Sequence, residues 1–147
     1  MPEEIRAVGR GFAFEDLKVG FRFRTHRRTI AGADLAAFAN LTWLTEELFT
    51  VEEQDKARLV PGALVYSFAE GLLLPTIQDT GLAFLNATLD VKGPTFVGDT
   101  IHVECEVTEH RRASNGERGL VRFLNQVITQ NNKVVLEYNP LRLLKMK

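Results

Sequence analysis

The 147-residue chain holds a single cysteine, Cys105. With no second thiol it can form no intramolecular disulfide and no cysteine-based metal cluster, so neither a metal nor another cofactor is expected. A chain of this kind suits a reducing compartment, and a cytoplasmic location is the expectation. An excess of one charge is also missing. Lys plus Arg is 18 against 19 for Asp plus Glu, a net charge of −1, which gives no global reason for nucleic acid or an anionic membrane as partner. No apolar run reaches the ~18–20 residues of a membrane span. The opening Met1-Pro2-Glu3-Glu4 has no basic region leading into an apolar stretch, so no secretory signal is visible.

What is present is the balance of an ordinary globular protein, 45% hydrophobic and 25% charged, at a length that suits one domain with a real core. Residues 1–11 read as a loose leader and 12–147 as a single domain. Phe21 to Ile30 alternates in part and reads as a strand. Ala31 to Thr42 reads as a short helix with Leu35, Phe38 and Leu41 on one apolar face and Asp34 in its first turn, where a carboxylate suits the helix dipole. Trp43 to Leu59 mixes apolar and acidic residues and reads as loop with a short helix.

Pro61 opens the strongest helix, since proline is well placed at a first helical position. From Gly62 to Leu74 only Glu70 carries charge, so this helix must be buried on most sides. Leu74-Pro75 is expected to kink or end it. The pattern then changes to period two. Leu85, Ala87, Leu89 and Val91 face one way. Ile101, Val103, Cys105 and Val107 alternate with His102, Glu104, Glu106 and Thr108, a half-buried strand. Asn115-Gly116 signals a hairpin into Leu120–Thr129. Residues 130–133 form a turn into Val134–Tyr138, and Asn139-Pro140 interrupts before Leu141–Leu144. One long buried helix with four or five antiparallel strands predicts an α+β fold, a curved antiparallel sheet wrapped around the helix from Pro61.

Several segments resemble the MaoC-like dehydratases, the family that includes (R)-specific enoyl-CoA hydratases. These are Phe14-Glu15-Asp16-Leu17-Lys18-Val19-Gly20, Arg28-Thr29-Ile30 followed by Asp34-Leu35 and Phe38-Ala39-Asn40-Leu41-Thr42, Val60-Pro61-Gly62, and Gly98-Asp99-Thr100 preceded by Pro94 and Val97. Their order and spacing carry the resemblance from Phe14 to the end. It implies the hotdog fold, an acyl-CoA or other acyl thioester as ligand, and a homodimer whose sheets join edge to edge with sites at the interface.

The family's active motif follows the Phe-Ala-x-Leu-Thr segment as Gly-Asp, then Pro-x-His, with Asp and His five positions apart. Carried over, the Gly position is Trp43, the Asp position Leu44, the Pro position Glu47 and the His position Phe49. The pair is therefore absent, and His26, His102 and His110 lie too far along the chain to replace it.

Hydrating an enoyl thioester needs a group that deprotonates and orients water, and something that stabilises charge on the thioester oxygen. Free N–H groups of Gly62 and Ala63, behind Pro61, are placed for the second task, although Pro61-Gly62 reads equally as a plain helix entry. For the first, Glu46 and Glu47 are the titratable residues inside the motif region, and Glu70 is the charge on the buried helix. A solvated surface pair and a satisfied structural carboxylate are the ordinary alternatives. Asn40 and Thr42 border the altered site as possible hydrogen-bonding groups or helix-ending residues. Trp43, Leu44 and Phe49 would line an acyl tunnel or join the core. Arg111, Arg112 and Arg118 flank the Asn115-Gly116 turn, where they would meet coenzyme A phosphates or serve solubility.

Three functions remain open: a MaoC-type hydratase or dehydratase with a degenerate site, a noncatalytic acyl-thioester-binding or structural subunit of a hotdog assembly, and an acyl-CoA thioesterase using Glu70 or Glu46. Crotonyl-CoA hydration, binding without turnover, and release of free thiol distinguish them.

Overall fold

The computed structural model describes Ile5, residues 8–50 and residues 56–147. Most of the segment read as a leader, and positions 51–55 of the stretch after Trp43, lie outside the described residues. A 3-10 turn at Phe14–Asp16 precedes β1 (Arg22–Arg24), β2 (Arg28–Thr29), α1 (Gly32–Thr42), α2 (Glu47–Thr50), β3 (Leu59–Val60) and α3 (Gly62–Ile77). Then come β4 (Gly81–Asn86), β5 (Leu89–Val91), β6 (Thr95–Phe96), β7 (Thr100–Arg112), β8 (Arg118–Thr129), β9 (Val134–Tyr138) and β10 (Leu141–Lys145).

β1 and β2 both pair with β7, β7 with β8, β8 with β9 and β10, and these with β5 and β4, all antiparallel. β3 and β6 form a separate pair. The inner face of this sheet packs on α3. Leu64, Val65, Phe68, Ala69, Leu72 and Leu73 of the helix are buried against Ile101, Val103, Cys105, Val127, Leu136 and Tyr138 of the strands. The alternation along β7 explains this, because every second residue points to the helix. Each such Val, Leu or Ile contributes about 1.5–3 kcal/mol on burial. A second cluster under the far end of β7 gathers Phe14, Leu17, Val107, Val121, Phe123 and Leu144. There Phe14 lies so close to Gly119 that an added Cβ would sit 2.0 Å from its ring.

The fold expected from the residue pattern is present, with local corrections. The helix begins at Gly62, and Pro61 is its extended N-cap rather than its first turn. The helix also runs past Pro75 to Ile77. A proline this near the end costs one backbone bond of the last turn. The loose carbonyls there are taken up by the chain ahead of the 3-10 turn, where Gly11 and Phe12 donate to Gln78 O and Thr76 O at 2.8 Å. Gly11, at the end of the segment read as loose, is therefore tied down. In α1, Leu35 and Ala39 are buried but Leu41 is 83% exposed, so the apolar face is narrower than read. Asp34 does more than suit the dipole: its Oδ2 accepts the Ala31 N–H at 2.8 Å, which supplies the missing cap.

The strand read across Phe21–Ile30 is split in two. The stretch with Leu85, Leu89 and Val91 on one supposed buried face is exposed along both β4 and β5. It forms the outer edge of the sheet, and two register shifts against β10 break the alternation that a buried strand would show. Among the described residues, no helix is long and apolar enough to cross a membrane.

Candidate functional site

A cavity of about 220 Å³ opens at the N-terminal end of α3. Phe49 of α2, Val65 of α3, Val91 of β5 and Val135 and Leu136 of β9 form its walls, with Pro61 and Gly62 at its rim. Thr95 is the one polar side chain among the lining residues, and none of them is titratable. Leu64 and Val65 donate their N–H groups back to Pro61 O at 3.0 and 3.2 Å. The N–H groups of Gly62 and Ala63 are thus the first-turn donors left for a ligand. A Cβ on residue 62 would lie 3.1 Å from Val91 Cγ2, so glycine keeps this rim open.

The cavity brings Phe49, Pro61 and Gly62 together, with Ala63 beside them. It does not bring in the other candidates. Asn40, Thr42 and Trp43 are exposed and Leu44 is half-buried, and none of the four lines the cavity. Thr42 Oγ1 donates to Phe38 O at 2.7 Å and accepts the Leu44 N–H at 3.3 Å, the work of a residue that ends a helix. Trp43 closes α1 in the left-handed region, φ 63°. Glu46 and Glu47 are exposed. The backbone carbonyl of Glu46 receives the N–H groups of Phe49 and Thr50, so this residue opens α2. Arg111 and Arg112 sit at the end of β7 away from Thr100. Twelve residues of strand span roughly 40 Å, which places them far from the cavity.

Glu70 lies two helical turns beyond Gly62. Its Oε2 accepts from Arg142 Nη2 at 2.6 Å and from Tyr138 Oη at 2.8 Å. Arg142 is only 5% exposed, and its guanidinium lies 5.3 Å from the Phe84 ring centre. Burial, and then the charge of Glu70, push the Tyr138 hydroxyl well above its ordinary range, so it remains a donor. The lone charge of α3 is thus paired inside the chain. Sequence reasoning missed Tyr138 and Arg142, and also Val65, Val91, Thr95, Val135 and Leu136. Val65 lies on α3 itself, and the others come from strands far apart in sequence that only strand register brings together. Cys105 is core, and burial raises its thiol to about 12. Among the described residues no group of three or more His, Cys, Asp or Glu is placed to hold a metal ion.

No protein-family model matches the chain. In sequence it is similar to the (R)-specific enoyl-CoA hydratase of Aeromonas caviae, 28% identical over 127 residues, covering 83% of this chain and 91% of that protein. In structure it is similar to a MaoC-like dehydratase from Rhodospirillum rubrum. The TM-score is 0.79 at 22% identity, with 93% of this chain and 99% of that one covered. A Mycobacterium tuberculosis protein with a double hotdog fold gives a TM-score of 0.83 at 22% identity, covering 97% of this chain and 46% of that one. One copy of this chain therefore corresponds to about half of that double fold. The resemblance in sequence to the enoyl-CoA hydratases and the α+β hotdog architecture are both established by these likenesses.

Proposed function

We propose that this MaoC-like hotdog chain binds a short acyl thioester at the N-terminal end of α3 and supplies no acid–base pair of its own, so that it acts as the binding subunit of a hydratase- or dehydratase-type assembly. The observation that carries this reading is a cavity beside free helix N–H groups with no titratable side chain in its lining. The Gly62 and Ala63 N–H groups would receive the thioester oxygen, aided by the helix dipole. The acyl tail would lie against Phe49, Val65 and Val135. The volume is below the ~300–1,000 Å³ of sites that enclose drug-sized ligands, which favours a short chain with the carrier left outside.

Trp43 supports the alignment behind the missing pair. It adopts the left-handed conformation that glycine takes most easily, at the position where the resemblance places the motif's glycine. The next residue, Leu44, then stands where the aspartate would, and Phe49, a wall of the cavity, where the histidine would. A proton-transfer group typically contributes ~10²–10⁴-fold in rate, so the reading expects little turnover from this chain alone. A thioesterase acting through Glu70 is less favoured. That carboxylate already holds Arg142 and Tyr138, and eight helical residues separate it from Gly62, about 12 Å.

The homodimer belongs to the same reading. β4 and β5 present Leu82, Phe84, Leu85, Leu89 and Val91 to solvent along an unpaired edge, a surface that proteins ordinarily cover. Ala63, Ser67, Gly71 and Leu74 of α3 are open as well. A second copy pairing along this edge would cover both and continue the sheet. Residues 12–147 act as one domain, and the cytoplasm is the fitting compartment.

The test is a titration of the purified protein with butyryl-CoA and crotonyl-CoA, read by calorimetry and melting temperature. Ligand at a hundredfold excess over Kd stabilises by about 2.7 kcal/mol. The shift should vanish in Val65→Phe, which fills the cavity, while circular dichroism shows the fold retained. Equal binding by that variant, or no binding by the wild type, rejects this site.

A further inference from the structure

We propose that a concavity on the outer face of the sheet, formed by Arg24, Thr25, His26, Arg27 and His102, is a binding site for a phosphate group carried by a small molecule. Its volume is about 360 Å³. It is separate from the acyl cavity: Ile101 and Val103, on either side of His102, point into the core around α3, so His102 points to the opposite face. The proposal therefore stands independently of acyl-thioester binding.

The backbone is shaped for it. Arg24 pairs with Glu104 and Arg28 with Ile101, so the chain takes four steps where β7 takes three. The extra residue makes a bulge, a device that re-aims side chains. Thr25 pins it. Its N–H donates to Val103 O at 2.9 Å, and its Oγ1 accepts the Val103 N–H at 3.0 Å and donates to His26 O at 2.8 Å. His26 and Arg27 are thereby turned toward the same concavity as Arg24, over a buried His102.

The charges there are left open. Arg28, the next cation in the run, is occupied by Asp34 at 3.0 Å and the Phe68 ring at 4.1 Å. The carboxylate of Glu104 is engaged by His102 Nε2 at 2.8 Å. Among the described residues Arg24, His26 and Arg27 have no side-chain hydrogen bond or ion pair. The two guanidinium groups around one depression repel each other, and an anion bound between them relieves that repulsion. The planar fork of arginine matches phosphate oxygens in paired hydrogen bonds, and imidazole adds a further donor.

The test follows the imidazole resonances of His26 and His102 by NMR while inorganic phosphate or adenosine 3′,5′-bisphosphate is added, with chloride at equal ionic strength as control. The expected result is a saturable shift at both histidines in phosphate that chloride does not produce. In Arg24→Gln/Arg27→Gln the shift is lost while binding of butyryl-pantetheine, a thioester that lacks the nucleotide, is unchanged. A bisphosphate affinity at least tenfold above that of inorganic phosphate identifies a nucleotide source. Equal affinities identify free phosphate, and both uphold the site. Shifts no larger than those in chloride, or shifts that persist in the double variant, overturn it.

Discussion

Removing the carboxylate of Glu70 or the guanidinium of Arg142 should cost more than any surface change in this chain, while removing both should cost far less than the sum. Arg142 is 5% exposed and meets Glu70 at 2.6 Å. Taking away one partner of a buried pair leaves an uncompensated charge, which costs about 3–5 kcal/mol. The Glu70 side chain keeps 26% of its exposure, so water relieves part of this, and the lower end, about 3 kcal/mol, applies to Glu70→Gln and to Arg142→Met alike. The double variant replaces the pair with neutral groups of similar size and should lose only about 3 kcal/mol, a coupling of about 3 kcal/mol. Urea unfolding of the four proteins measures it. In melting temperature each single change should appear as a drop of roughly 6–12 °C. Strict additivity would refute the pairing argument. So would a Glu70→Gln protein more stable than the wild type, because a carboxylate held for chemistry at the expense of stability behaves that way.

Three further outcomes follow from the same structure. Cys105, buried with its thiol raised to about 12 by that burial, should resist thiol reagents in the native protein at pH 8 and react only on unfolding, at a rate set by the opening equilibrium. Asp16 is held below its ordinary 3.8 by a hydrogen bond from Lys147, then by the Ala13 N–H. Its stabilisation is present above that ordinary value and lost as pH falls through the lowered one. Asp16→Asn should therefore flatten the acid limb of the urea midpoint below about pH 4, and an unchanged slope would count against the contact. Leu85→Lys on the exposed edge strand should shift the protein to a monomer in sedimentation velocity. A variant that still sediments as a dimer would place the interface elsewhere.

The periodic parts of the chain were legible from residues alone. The alternation from Ile101 to Val107 marks β7, Asn115-Gly116 marks the hairpin, and the apolar run behind Pro61 marks α3, because each is set by local pattern. The edge strand is not legible, because Leu85, Leu89 and Val91 look like a core face. Apolar residues at a free edge carry the same pattern as apolar residues over a helix. Pro75 misled because its cost depends on how near it lies to the helix end, and on Gly11 and Phe12 arriving from far along the chain to take the carbonyls. Of the site, the helix entry at Pro61-Gly62 and the aromatic Phe49 were legible. The walls from β5 and β9 were not, since register across the sheet decides which valines face the same space. The acidic candidates illustrate the converse. Glu46, Glu47 and Glu70 stand out in the sequence by chemical type, but their positions depend on where α2 begins and on which residue of β10 faces α3.

The most direct measurement is incubation of the purified chain alone with crotonyl-CoA, following the enoyl absorbance and the bound fraction in the same sample. The account predicts saturable binding with no conversion to the 3-hydroxyacyl product. Conversion by the chain alone, at the rate of a hydratase that carries its own acid–base pair, would contradict it.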